Sequence, residues 1–209
     1  MSEMPTDPGE TQHLLEMARG GDRQAFDRLF GLHRDYLRRV VELRMDRRLR
    51  ARLDPSDVVQ EAQLEAFRRL ADYCERRPMA FRLWLRRTAQ ERLLMLRRHH
   101  LGAGKRDAGR EVPLPEGSSL LLARPLLAPG PSPSQHLAGR EQARRVHEAV
   151  ARLSEEDREV LVMRNLEALS NAEVAEALGI DPSAASQRYG RALLRLRKVL
   201  LARGLEELS

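Results

Sequence analysis

The sequence has very little cysteine and few aromatic residues. Cys74 is the one cysteine in 209 residues, which excludes an intrachain disulfide framework and fits a reducing compartment. Aromatic residues make up 4% of the chain and hydrophobic residues 42%. That hydrophobic share is enough for small cores, and the length allows one or two domains.

Long apolar runs and strand-like alternation are also missing. No run approaches the roughly 18 apolar residues of a membrane span, and the start MSEMPTDPGETQH lacks the basic and apolar regions of a signal peptide. We therefore expect a cytoplasmic protein with no membrane partner. Nearly every periodic segment has helical spacing, and none keeps the period of two that a strand requires. This pattern predicts an all-α fold.

The charged residues are biased toward the basic side. The chain has 37 Lys and Arg against 31 Asp and Glu, a net charge of +6. A basic protein suits an anionic partner, either nucleic acid or a membrane surface. No acidic residue occurs from Pro182 to Gly204, so this segment is the part of the chain that most favours binding to a polyanion.

Two helical segments flank a stretch with linker composition. We predict helical domains at residues 12–100 and 136–203, joined by a flexible Gly- and Pro-rich linker at 101–135. In the first domain, Asp22 is expected to cap one long helix that runs to Leu43. Asp54 and Pro55 should start the next helix, through Tyr73, and Pro78 a further one. In the second domain, Ser154 is the expected N-cap of the first acidic helix.

Residues 169–200 have the pattern of a helix-turn-helix. Ser170 and Glu173 match a capping box, and Gly179 ends the short helix that follows. Asp181 then provides an N-cap and Pro182 a first-turn proline for a second helix. In such a unit the second helix can lie in the major groove of DNA.

The second helix of this unit has two contrasting sides. Ala185, Tyr189, Ala192 and Leu196 fall on one side at about 100° per residue, and we expect that side to pack. Another side of the helix is small, amide or basic. Its predicted DNA contacts are Ser183, Ala184, Gln187, Arg188, Arg191 and Arg195. An ordinary solvent-exposed basic face is the alternative interpretation.

Patterns for catalysis and metal binding are absent. GAGKRD lacks the first Gly and the final Ser or Thr of a phosphate-binding loop. His99 and His100 are adjacent, so on a helix they diverge and cannot share a metal as an i, i+4 pair could. We predict a protein that is not an enzyme, with no catalytic residue, no metal and no cofactor.

Three segments, in the expected order, resemble a known family. DPSDVVQEAQLEAF, FRLWLRRTAQERLLMLRR and the helix-turn-helix segment from Leu153 to Arg197 are similar to small, two-domain, extracytoplasmic-function (ECF) sigma factors of bacterial RNA polymerase. These belong to the sigma-70 family. The stretches DPSDVVQE and HHLGAGKRDAGRE are also similar to sigma factors that planctomycete-like bacteria carry.

The resemblance implies roles for the first two segments. The first is similar to the helix that binds the clamp helices of the largest polymerase subunit, which implicates Asp57, Val58, Gln60, Glu61 and Leu64. Independently of the family, the acids and amide of this set share a helical face that suits a basic protein surface. The alternative is that they only stabilise the first turn of the helix through its dipole.

The second segment resembles the helix that melts and reads the minus-ten element. The expected contacts are Trp84, Arg86, Arg87, Gln90, Glu91, Arg97 and Arg98. The arginines could bind phosphate and Trp84 could stack on a base, although a single Trp in a small helical domain also suits the core. Glu91 stands where the family often has Asn, so its usual base readout is not carried over.

The third segment resembles the domain that reads the minus-thirty-five element. Ala184 and Ser186 replace a common Thr and Lys, so the promoter sequence is not carried over either. The implied function is a transcription initiation factor whose partners are core RNA polymerase, through its clamp helices and flap, and promoter DNA. An anti-sigma factor is a further candidate partner, and the free chain should be a monomer. The alternative is a helix-turn-helix regulator that never joins polymerase.

Overall fold

The computed structural model describes residues 8–45, 47–101, 149–150 and 152–202. All regular structure within these ranges is helical, which confirms the predicted fold class. The helices are α1 Pro8–Arg19, α2 Arg23–Gly31, α3 Arg34–Glu42, α4 Arg47–Arg50, α5 Pro55–Arg68, α6 Leu70–Arg76, α7 Phe81–Leu101, α8 Glu155–Asn165, α9 Asn171–Leu178 and α10 Pro182–Leu201. The predicted linker beyond Leu101 and the predicted domain start at residue 136 lie outside the described residues.

The helices divide into two compact units. Unit 1 contains α1 to α3 and α5 to α7, and unit 2 contains α8 to α10. In unit 1, α5 packs against α3 and α7, while α1 packs against α2 and α6. The largest fully buried side chains of unit 1 include Phe26, Leu29, Phe30, Leu37, Leu83, Leu85 and Leu93. This core fixes which faces of α5 and α7 remain exposed.

Two helices predicted as continuous are each broken in the structure. Asp22 does cap α2, accepting the Ala25 N–H at 3.0 Å, but that helix ends at Gly31 and α3 begins at Arg34. The next predicted helix breaks at Arg69, between α5 and α6. Apolar spacing continues across both breaks, so periodicity did not reveal them. The last helix of unit 1 begins at Phe81 rather than at Pro78.

The predicted helix-turn-helix is present in unit 2, with nearly all of its expected end signals. Ser170 and Glu173 form both capping-box bonds, at 3.2 and 2.8 Å, and Gly179 adopts the left-handed conformation with φ of 64°. Pro182 is in the first turn of α10, but the Asp181 side chain makes no capping hydrogen bond. The carboxylate cap predicted there is therefore wrong.

A side-chain bond joins the starts of the two helices instead. The Asn171 side-chain amide at the start of α9 donates to the Pro182 carbonyl at 2.7 Å. Ala185, Ala192, Leu196 and Leu200 of α10 are buried, which confirms the predicted packing side. The Tyr189 hydroxyl donates to the Asn165 side-chain oxygen at 3.1 Å and so fixes α10 against α8. The second helix is thereby held with its other side outward.

None of the described helices combines the length and the apolar character needed to cross a bilayer.

Candidate nucleic-acid and polymerase interfaces

The outward side of α10 carries a polar and basic strip. Ser183, Gln187 and Arg191 are exposed, and their spacing of four residues aligns them along one side of the helix. Ala184 is partly exposed beside them. Small side chains near the helix start allow close approach to a surface, while the amide and the guanidinium can donate to base edges or phosphates.

Two other predicted DNA contacts of α10 form ion pairs with α8. Arg188 lies 3.8 Å from the exposed Glu156 carboxylate. Arg195 contacts the carboxylate of Asp157, whose side chain is only 5% exposed. A buried carboxylate without a partner is costly, so Arg195 has a structural role that the sequence pattern did not reveal. The two partners are 38 residues apart in the chain.

The exposed face of α5 combines acidic, amide and apolar side chains. Asp57, Gln60 and Glu61 are exposed, and Leu64 is 51% exposed. Val58 is 0% exposed, so its predicted role as a polymerase contact is wrong. Val58 lies on the side of α5 that packs into the core. A family motif read as a continuous sequence does not distinguish the buried side of a helix from its exposed side.

Asp57 also stabilises the start of its own helix. Its carboxylate accepts the Asp54 N–H at 3.2 Å, and Asp54 accepts the Ser56 N–H at 2.7 Å, which together form the capping arrangement of α5. The bond from Ser56 lowers the pKa of Asp54. The alternative role considered for Asp57, stabilising the first helical turn, is thus present in the structure. Gln60 and Glu61 are the better probes of the outer face.

An apolar groove lies beside this face, between α2 and α5. Its volume is about 280 Å³, and its lining residues are Arg23, Phe26, Asp27, Gln60, Gln63, Leu64 and Phe67. Gln63 donates to Asp27 at 2.9 Å and accepts from Arg34 at 3.1 Å, which holds one wall in place. The sequence did not reveal the groove because its two helices are separated in the chain.

Two predicted minus-ten contacts on α7 are buried. Trp84 is 5% exposed, with its ring centroid 4.6 Å from Tyr73 and 5.6 Å from Phe81. It belongs to an aromatic core cluster, as the alternative interpretation of this residue expected, and its burial contradicts the prediction that it stacks on a base. Arg86 is also buried and donates to Gln90 at 3.2 Å. Its guanidinium is therefore held inside unit 1 rather than presented to phosphate.

The other predicted minus-ten residues reach the surface. Arg87 and Arg98 are exposed, and Gln90, Glu91 and Arg97 are partly exposed. Glu91 accepts from Arg87 at 3.1 Å and from Arg69 at 3.0 Å. Two guanidinium groups thus face one carboxylate, which leaves this part of α7 with net positive charge.

Comparison with known proteins identifies the family. Residues 143–196 match the profile described as Sigma-70, region 4. The chain is 30% identical over 192 residues to the probable RNA polymerase sigma factor RfaY of Xanthomonas campestris, with 91% of this chain aligned but 44% of that protein. It is also 30% identical to the RNA polymerase sigma factor CnrH of Cupriavidus metallidurans, with 70% of this chain and 73% of CnrH aligned. The chain is an ECF sigma factor of the sigma-70 family.

The sigma factor also shares its fold with a solved relative. The structure of CnrH in complex with the cytosolic domain of CnrY matches with a TM-score of 0.58 at 24% identity, covering 92% of this chain and 98% of that one. The predicted resemblance and the two-domain helical fold are therefore confirmed. The sigma factor has a role in transcription initiation.

Proposed function

We propose that this sigma factor binds core RNA polymerase through the exposed face of α5 and places two DNA-contacting helices on the promoter. Unit 1 corresponds to the polymerase-binding and minus-ten domain, and unit 2 to the minus-thirty-five domain. The factor binds and positions DNA without catalysing a reaction, and it works in the cytoplasm, where polymerase and chromosome are found.

The observation that carries this proposal is the composition of the α5 face. Gln60, Glu61 and Leu64 are exposed together in a protein with net positive charge. Carboxylates are repelled by phosphate, so this face does not suit DNA. The acidic and amide side chains lie beside an apolar groove. This face therefore suits a partner protein whose surface is basic with an apolar centre. The clamp helices of the largest polymerase subunit are the proposed partner.

The DNA contacts follow from the exposed sides of α7 and α10. Arg87, Gln90, Glu91, Arg97 and Arg98 are the proposed minus-ten contacts. Ser183, Ala184, Gln187, Arg188, Arg191 and Arg195 are the proposed minus-thirty-five contacts, with Gln187 and Arg191 best placed to reach base edges. The polymerase flap for unit 2 and an anti-sigma factor for the free chain complete the proposed partners.

Glu61→Arg tests the polymerase contact. Glu61 is exposed, so reversing its charge should leave the fold intact. Affinity for core polymerase should fall about tenfold or more, since like charges then meet at the interface. Affinity for duplex DNA should stay level or rise.

Glu75→Arg is the matched control, because Glu75 is an exposed acid of the same unit, on α6. It makes the same charge change away from the α5 face and should leave core binding unchanged. Equal core affinity for both variants would refute the assignment of the α5 face. The helix-turn-helix regulator that never joins polymerase predicts no core binding by any of the three proteins.

A further inference from the structure

Unit 2 includes a short segment from the N-terminal part of the chain. Leu43, Arg44 and Met45 directly follow α3 in the sequence, but they belong to the same compact unit as α8 to α10. All three residues are buried. The leucine and the methionine suit a core, whereas a buried guanidinium needs partners that compensate its charge. Arg44 was not among the residues predicted from the sequence.

Two carboxylates compensate the charge of Arg44. Its Nη2 atom donates to Oε1 of Glu159 at 2.7 Å and to Oε1 of Glu167 at 2.5 Å. The Glu167 side chain is 0% exposed, and that of Glu159 is partly exposed. Because both oxygens contact the same nitrogen, the two carboxylates lie close together and would repel each other without the cation between them. The ion pair with Arg44 is therefore a strong constraint on the position of Glu167.

Glu167 lies in the turn that leads from α8 into the helix-turn-helix. Its N–H donates to the Val162 carbonyl at 3.0 Å. The next residue, Ala168, has a φ of 55°, a left-handed conformation that residues other than glycine rarely adopt. Ser170, the N-cap of α9, follows two positions later. A strained turn keeps its conformation only when its surroundings hold it, and the contact between Glu167 and Arg44 is part of those surroundings.

We propose that Arg44 is a positioning residue for minus-thirty-five recognition. By neutralising Glu159 and Glu167 it holds the turn between α8 and α9, and this turn sets where α9 begins. The Asn171 side chain at the start of α9 bonds to the first turn of α10, so the constraint reaches the helix that presents Gln187. Arg44 is buried and acts on base readout without contacting DNA. The proposal rests on the proposed function of α10 and adds a residue outside the helix-turn-helix that aligns it.

Arg44→Met in the full chain tests this role, because methionine is also unbranched but carries no charge. The probes are a duplex that the unsubstituted chain selects from a randomised pool and a scrambled duplex of the same composition. Fluorescence anisotropy measures both affinities. We expect their ratio to fall about tenfold, which is within the range that the loss of one aligned base contact causes. The slope of log affinity against log salt should stay unchanged, since Arg44 binds no phosphate.

Adding Glu167→Gln to Arg44→Met should restore most of the lost discrimination. The amide has the same shape as the carboxylate but removes the negative charge that Arg44 neutralised. Circular dichroism shows which variants are folded, and the double variant decides the question if Arg44→Met alone is unfolded. A double variant that does not fold, or that discriminates as poorly as a folded single variant, would overturn the proposal.

Arg86→Met is the matched control, because Arg86 is another buried arginine, on α7 of unit 1. It removes the same charge and should leave the affinity ratio unchanged. An unchanged ratio in folded Arg44→Met, or an equal loss in Arg86→Met, would refute the role of Arg44 while leaving the proposed function intact. If the unsubstituted chain selects no duplex from the pool, the proposed minus-thirty-five recognition fails and the role of Arg44 fails with it.

Discussion

Replacing Arg195 with alanine should change stability and DNA binding by amounts that can be measured separately. The Asp157 carboxylate, 5% exposed, would lose its guanidinium partner. Breaking a fully buried ion pair costs about 3 to 5 kcal/mol, but the Arg195 side chain is 58% exposed. Exposed pairs contribute about 1 kcal/mol or less. Because one partner is buried and the other is solvated, we expect a loss of about 1 to 2 kcal/mol in the free energy of unfolding.

The DNA-binding effect of the same variant should appear in its salt dependence. If Arg195 also neutralises one phosphate, the slope of log affinity against log salt should become shallower by about 0.9. Urea unfolding measures the first effect, and fluorescence anisotropy with a minus-thirty-five duplex at several salt concentrations measures the second.

Two further variants separate the roles of Arg195. Arg191 is exposed and has no acidic partner among the described residues, so Arg191→Ala should lower DNA affinity with little effect on unfolding. Asp157→Asn should lower stability without removing a phosphate contact. The reasoning is refuted if Arg195→Ala unfolds at the same urea concentration as the unsubstituted protein.

Three other predictions concern buried and exposed residues of the two units. Burial, and then the charge of Arg82, lowers the pKa of His33 from 6.5 to about 4. The free energy of unfolding should therefore keep its full value above the unfolded-state pKa. It should fall by up to about 3 kcal/mol as the pH drops toward the folded-state pKa, because the unfolded chain takes up the proton first. His33→Leu should remove this dependence in acid unfolding curves, and an unchanged curve would contradict it. Trp84→Ala should cost about 3 to 5 kcal/mol in urea unfolding, whereas a base-stacking Trp would leave stability unaltered. Gln187→Ala should relax base preference at minus thirty-five by about 1 to 3 kcal/mol on a randomised promoter library, and an unchanged preference would remove Gln187 from the readout.

Local signals in the sequence predicted the ends of the helices in unit 2 well. Ser154, Ser170 and Gly179 each act within a few residues of their own position, so the neighbouring residues in the sequence are enough to predict these helix ends. Asp181 is the exception, because the Asn171 side chain from the preceding helix supplies the bond that holds the start of α10. That bond connects residues 11 positions apart.

Faces of helices were harder to predict than helices. Val58 and Trp84 lie in segments that resemble functional motifs, but the packing of other helices determined that both are buried. The role of Arg195 depends on an acid in a different helix.

Transcription from a randomised promoter library by bacterial core polymerase, with and without the sigma factor, tests the central claim most directly. Sequencing the RNA 5′ ends identifies the promoters that were used. Our account predicts that adding the chain produces transcripts from defined start sites whose upstream DNA shares minus-ten and minus-thirty-five elements. The same set of transcripts with and without the chain, or no specific transcript in its presence, would contradict it.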